Sequence, residues 1–219
     1  RRPRHARCVR STPASASSTA CSGSDTFTSP EANRGDTTPT MTTALPPANA
    51  STEAGHADFA ARTEREIELV RMLIQRYGRA EVESVLSGPG IENLHRFTHR
   101  GGECAVVEDI DAPGAAAQVS QGALTGRCQG CVDALRMFVS AYGAEAGNLA
   151  LRGVTTAGLY VGGGIVRKIL PFVQDGTFMR AFLDKGPMKD LLSTIPVRII
   201  LNEEAGLVGA AAAAQALGT

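Results

Sequence analysis

Hydrophobic residues fall into two regimes along this chain. Over residues 1–45 the only sizeable apolar side chains are Val9, Phe27, Met41 and Leu45, spaced at no helical or strand period. Such a stretch cannot bury enough surface to offset the entropy of ordering it. A disordered, low-complexity tail is therefore expected over 1–48, ahead of a folded domain over 49–219. Periodic patterning starts at Thr63-Glu64-Arg65-Glu66, a capping box in which the hydroxyl accepts from the Glu66 amide while the carboxylate reaches back. It predicts a helix with Ile67, Val70, Ile74 and Tyr77 on its apolar face, flanked by Leu69 and Leu73 and ended by Gly78 in a left-handed cap. A short helix is expected over Ala80 to Leu86, then the breaker Ser87-Gly88-Pro89-Gly90, then a third helix carrying Ile91, Leu94 and Phe97.

The stretch from Gly101 to Pro113 reads as a surface connector, and Ala115 to Tyr142 as helical for most of its length, with a separate helix over Ala144 to Leu151. Gly158 to Val161 reads as a strand opening through Gly162-Gly163-Gly164 into a helix from Ile165 to Phe172. Met179 to Asp184 is expected to be helical, Val197 to Leu201 a buried strand, and Gly206 to Leu217 an Ala-rich final helix.

Composition narrows the class. With 43% apolar residues but only 5% aromatic and no Trp in 219 residues, a core has to be built from Ala, Val, Leu and Ile, which favours an α/β or helical domain. Twenty-two basic residues balance 22 acidic ones, so the electrostatic drive for binding nucleic acid or a membrane surface is missing. No apolar tract is long enough to span a bilayer. Five cysteines at irregular spacing do not make a disulfide framework, and a reducing, cytoplasmic setting is expected. The chain opens on Arg1, its first Met is Met41, and the Arg-rich start resembles a transit peptide or a basic arm. The reading adopted is that this segment is incomplete or mistranslated.

Three groups of residues could carry chemistry. Gly162, Gly163 and Gly164 would let backbone approach a flat or phosphorylated ligand, or would merely serve a tight connection between strand and helix. Glu53 and His56, beside Gly55 and Asp58, place a carboxylate and an imidazole where they could hydrogen-bond several hydroxyls, or cap a solvated turn; Glu83 taken alone reads as a solvated helical residue. Cys128-Gln129-Gly130-Cys131 with His95 and His99 has the composition of a Cys2His2 zinc site. The cysteines, however, lie in an apolar helical pattern and are expected to be core residues, with no metal.

Taken together these segments resemble the bacterial glucokinase family, ATP-dependent enzymes that phosphorylate glucose at its 6-hydroxyl. Glu53-Ala54-Gly55-His56-Ala57-Asp58-Phe59-Ala60 resembles the family's EGGHxDFAP turn, and Val85-Leu86-Ser87-Gly88-Pro89-Gly90 with Asn93 and Leu94 its VLSGPGLxNL segment. Gly147-Asn148-Leu149-Ala150-Leu151, Tyr160-Val161-Gly162-Gly163-Gly164-Ile165-Val166, Ala181-Phe182-Leu183-Asp184-Lys185-Gly186 and the tail from Pro196 to Ala210 follow in the family's order. The resemblance implies the C-terminal lobe of an actin-like ATPase (ribonuclease H-like) sugar-kinase fold, a mixed sheet with helices on its faces and a helical extension. It implies that Glu53, His56 and Glu83 hydrogen-bond glucose, that Gly162, Gly163 and Gly164 lie beside ATP, that magnesium accompanies the nucleotide, and that the protein is a homodimer.

Two departures from the family pattern stand out. Ala54 replaces a glycine, and its methyl group is expected to disfavour a left-handed backbone there. The family's general base is an Asp preceded by Asn, expected ahead of Glu53. Asp25 and Asp36 are the only aspartates there, and neither follows Asn. The N-terminal catalytic lobe is thus read as absent, and no catalytic residue is assigned.

Overall fold

The computed structural model describes residues 52–100 and 102–217; the expected tail over 1–48 lies outside them. Helix α1 (Glu64–Tyr77) begins where the capping box places it, with the Glu66 amide donating to Thr63 Oγ1 at 3.2 Å and Gly78 closing it at φ 83. The Glu66 carboxylate reaches one residue further back than expected. It accepts from the Arg62 amide and the Arg62 guanidinium, both at 2.6 Å, and this side chain is only 6% exposed. The buried face is also rotated from the expected one: Leu69 and Leu73 enter the core, whereas Ile74 and Tyr77 are about half exposed. Two overlapping apolar stripes existed on this helix, and packing against α2 (Gly88–His99) selected the leucines.

The short helix expected over 80–86 does not form. Those residues are a turn whose first part pairs as an antiparallel bridge, Asp58 with Glu81. Backbone bonds from Phe59 to the Ala80 carbonyl, from Val82 to Ala57 and from Glu83 to Gly55 tie it to the 54–59 segment. Tertiary hydrogen bonding outweighs a helix too short to recover its nucleation cost. The long helical reading of 115–142 divides instead into α3 (Ala115–Leu124) and α4 (Gln129–Gly153), with Gly126 at φ 66 in the break. Beyond it, α4 runs through the boundary expected at 142–144 as one helix.

Strands β1 (Leu159–Val161) and β2 (Val197–Ile199) pair in parallel, Leu159 opposite Val197. They are the sheet found among the described residues, smaller than the mixed sheet expected but with the same α/β logic of helices packed against parallel strands. Between them lie α5 (Gly164–Lys168), α6 (Leu170–Gln174), α7 (Thr177–Leu183) and α8 (Lys189–Ser193), and α9 (Ala205–Leu217) follows β2. The expected 165–172 helix is broken at Ile169 because Pro171, in the first turn of α6, has no amide to continue the ladder.

The core centres on α4, which packs most closely against α7. Gly143 and Gly147 make this approach: a methyl group at Gly143 would lie 2.9 Å from the Phe178 carbonyl carbon, and one at Gly147 would lie 2.7 Å from the Phe182 carbonyl oxygen. At the same contact Lys185 donates to Asn148 at 2.6 Å, and Asn148 donates to Glu145 at 2.8 Å. The family-like segments 147–151 and 181–186 are therefore packing partners. No helix among the described residues is long and apolar enough to cross a membrane.

Candidate functional site

The segment around Glu53 is held by its pairing with residues 80–83, and this brings the expected side chains together. Residues Ala54–His56 form one 3-10 turn whose carbonyl at Glu53 accepts from the His56 amide. Ala54 sits in this turn and is not among the described non-glycine residues with positive φ, which are Arg100 and Val154. Its methyl group therefore causes no backbone strain, contrary to expectation.

His56 Nδ1 lies 2.8 Å from Glu81 Oε2, and its Nε2 is 3.8 Å from Glu83 Oε2. Glu81 hydrogen-bonds the ring and attracts its charge, and with the more distant Glu83 and Glu53 this raises the imidazole above its ordinary pKa of 6.5. Glu53 is exposed and makes no capping bond of its own. Arg79 braces the cluster through the His56 carbonyl and Asp58, both at 2.9 Å, and through Glu81 at 3.1 Å. Glu83 is carried on the turn rather than on a helix. Ser87, the N-cap of α2, donates to the Glu83 carbonyl at 2.7 Å and fixes where that turn ends.

Sequence reasoning had not found Glu81, Arg79 or Tyr142. The spacing Arg79-x-Glu81-x-Glu83, alternating along a strand-like segment, was the available signal, and the expectation of a helix there concealed it.

The glycine turn follows β1. Gly163 has φ 110 and ψ 166, a conformation open essentially to glycine alone. A methyl group added at Gly163 or Gly164 would meet nothing within 4 Å, and one at Gly162 would make only ordinary contact with Ile200. The backbone face of this turn is therefore open. Among the described residues no carboxylate cluster of metal-binding geometry stands beside it.

A cavity of about 270 Å³ joins the two turns. Its walls include Ala54 and Gly55 on one side, Gly162 with Tyr160 and Val161 on another, and Tyr142 and Glu145 from α4. Tyr142 donates to the Gly162 carbonyl at 3.5 Å, and burial raises its hydroxyl pKa. Glu81 and Glu83 line a separate recess of about 260 Å³ with Ser87 and Asn93. A larger cavity of about 600 Å³ lies between Arg62, Arg180 and Lys189. It contains none of the expected residues; the 270 Å³ cavity contains Gly162 alone of them, although it touches both turns, and Glu83 lines the 260 Å³ recess.

A profile of the glucokinase family matches residues 41–217. A glucokinase from Nostoc sp. is 41% identical over 184 residues, covering 75% of this chain and 53% of the relative. One from Yersinia enterocolitica is 40% identical over 162 residues, covering 73% and 48%. Among solved structures, a glucokinase from an Antarctic psychrotroph superimposes with a TM-score of 0.65 at 34% identity, over 74% of this chain and 49% of the other. The glucokinase of Balamuthia mandrillaris, solved in complex with glucose, gives 0.63 at 17% identity, a likeness of fold. The chain spans about half the length of the curated relatives it matches.

Proposed function

Because this chain belongs to the glucokinase family, we propose that it binds glucose through Glu53, His56 and Glu83 and adenine nucleotide at Gly162, Gly163 and Gly164, as the sugar- and nucleotide-holding half of an ATP-dependent glucokinase. The observation that carries this reading is the cavity whose walls include Gly162 and, from the turn between Glu53 and His56, Ala54 and Gly55, so that the two turns face one space although the Glu53, His56 and Glu83 side chains stand outside its lining. Transfer of a phosphoryl group requires sugar and nucleotide to be neighbours, because catalysis of this reaction is mostly positioning and charge stabilisation.

The roles follow from the donors and acceptors available. Glu53 and Glu83 are carboxylates, each able to accept bonds from neighbouring hydroxyls. His56 is oriented by Glu81 through Nδ1, so its Nε2 side is the one free to meet the sugar. A sugar lacking one of those hydroxyls would leave an acceptor desolvated and unpaired, and this is a strong source of discrimination. ATP supplies the phosphoryl group and magnesium neutralises its charge. Gly163 keeps a backbone path open for the nucleotide.

No general base is assigned. The family's base follows an Asn, and this sequence contains no Asn-Asp pair. Turnover of glucose by the 219-residue chain alone is expected to be undetectable, with binding retained. Calorimetric titration with glucose tests the assignment: His56→Ala and Glu83→Gln should each weaken binding, and an affinity unchanged in both would reject this pocket. Glucose phosphorylation that depends on Glu83 would reject the non-catalytic part.

A further inference from the structure

A second cluster stands about 12–18 Å along α2 from its Ser87 cap, at about 1.5 Å per residue to His95 and His99. His95 and His99 lie on the last turns of α2, Cys128 is the N-cap of α4, Cys131 is in its first turn, and Cys104 comes from the connector between α2 and α3. Ligand atoms of His95, His99, Cys104 and Cys131 all lie within 4.8 Å of one another. Cys104 Sγ is 3.7 Å from both Cys128 Sγ and Cys131 Sγ, and His99 Nε2 is 3.2 Å from Cys128 Sγ. A tetrahedral zinc with Zn–S of about 2.3 Å and Zn–N of about 2.1 Å spaces its ligand atoms about 3.8 Å apart for two sulfurs and about 3.6 Å for sulfur and nitrogen.

We propose that Cys104, Cys128, Cys131 and the His95–His99 pair form a structural zinc site, with three thiolates and one imidazole stapling the connector to the facing ends of α2 and α4.

Three further observations bear on this. His95 is 5% exposed, and neither of its ring nitrogens has a hydrogen-bond partner among the described residues. Buried imidazole nitrogens are costly to leave unpaired, and core packing of cysteines gives no reason for placing them here. His99 Nδ1 is held by the His95 carbonyl at 2.9 Å, which directs Nε2 at Cys128; zinc-bound imidazoles are oriented in the same manner. The Val107 amide donates to Cys104 Sγ at 3.4 Å, which supports a thiolate.

Gly130 completes the fit, because a methyl group there would sit 2.7 Å from His99 Nε2, on the atom offered to the metal. Thr98 Oγ1, donating to the Gly130 carbonyl at 2.9 Å, locks α2 to this turn. The stacked imidazoles, with centroids 3.8 Å apart, each hold a nitrogen within 4.8 Å of Cys104 and Cys131 Sγ, so either ring reaches the fourth vertex. Zinc displaces thiol protons and forms no disulfide.

The chain purified without chelator should contain one zinc per molecule by elemental analysis. After exchange, cobalt(II) should give the visible bands of a tetrahedral ion with thiolate charge transfer of three-sulfur intensity. Stripping the zinc should lower the melting temperature, and Cys128→Ser, at a half-exposed position, should weaken retention roughly tenfold or more. The wild-type readings stand even if a variant fails to fold. Substoichiometric zinc, octahedral cobalt bands, or thiol titration revealing a disulfide among the three cysteines would overturn the site.

Discussion

Replacing Gly143 with Ala tests whether the packing that carries the cavity wall is set by backbone contact. The added carbon would lie 2.9 Å from the Phe178 carbonyl carbon, 3.0 Å from its Cα and closer still to its oxygen. Carbon atoms rest at about 3.5–4.0 Å, so α4 and α7 would have to part by about 0.5–1 Å, which forfeits a quarter to a half of the dispersion energy across that contact. The obstructing atoms are backbone, so no side-chain rotation relieves them. Overpacking of this kind costs about 1–3 kcal/mol, offset by up to about 1 kcal/mol from the helical preference of Ala over Gly. A net loss of about 1–2 kcal/mol corresponds to a fall of about 2–8 °C in melting temperature for a domain of this size. Gly209→Ala on α9 is the internal control, because nothing lies within 4 Å of its added carbon and only the propensity gain applies. Calorimetric melting of both variants reads the difference. Equal melting temperatures for Gly143→Ala and the wild type would refute the argument that these glycines set the helix separation.

Three other outcomes follow from the same geometry. Glu66→Ala removes a 6% exposed carboxylate that accepts two bonds from Arg62, and urea denaturation should register a loss of about 1.5–3 kcal/mol; a loss below about 0.5 kcal/mol would mean that the pair is not formed. His56 should titrate above 6.5 by NMR, and Glu81→Gln should move it down, because Glu81 is the chief cause of its raised pKa. A group with a raised pKa contributes fully at pH below its unfolded value and loses that contribution as pH rises through its folded one. The Glu81–His56 contact should therefore weaken from slightly acid toward alkaline pH, and an unaltered titration in the variant would contradict this. Gly163→Ala imposes φ 110 on a residue with a side chain, at a cost of about 1–3 kcal/mol. Binding of a non-hydrolysable ATP analogue should weaken while glucose affinity holds, and equal loss of both would mean the turn is merely structural.

Much of the fold could be read from local signals that tertiary structure had no cause to overrule. The Thr63 cap, the Gly78 terminator, the strand before Gly162 and the Ala-rich last helix are of this kind. The failures occurred where long-range contacts decided the outcome. Residues 80–86 have helical composition, yet the backbone of 54–59 supplied better hydrogen bonds. On α1 two apolar stripes competed, and the choice of Leu69 and Leu73 depended on a neighbouring helix that periodicity does not reveal.

The site was legible unevenly. Glu53, His56 and Glu83 came from motif resemblance, whereas Glu81, which sets the charge on His56, lay in a segment assigned the wrong structure. The cysteines were read as core residues, and Cys131 is indeed buried. Cys104 was overlooked because its connector shows no period, and only folding brings it to His95 and His99.

A crystal structure of the chain grown with glucose tests the central claim most directly. The account predicts a sugar with hydroxyls within hydrogen-bond distance of Glu83 and His56, against the wall formed by Ala54 and Gly55. Glucose bound in the cleft between Arg62, Arg180 and Lys189, or density for sugar nowhere near His56, would contradict it.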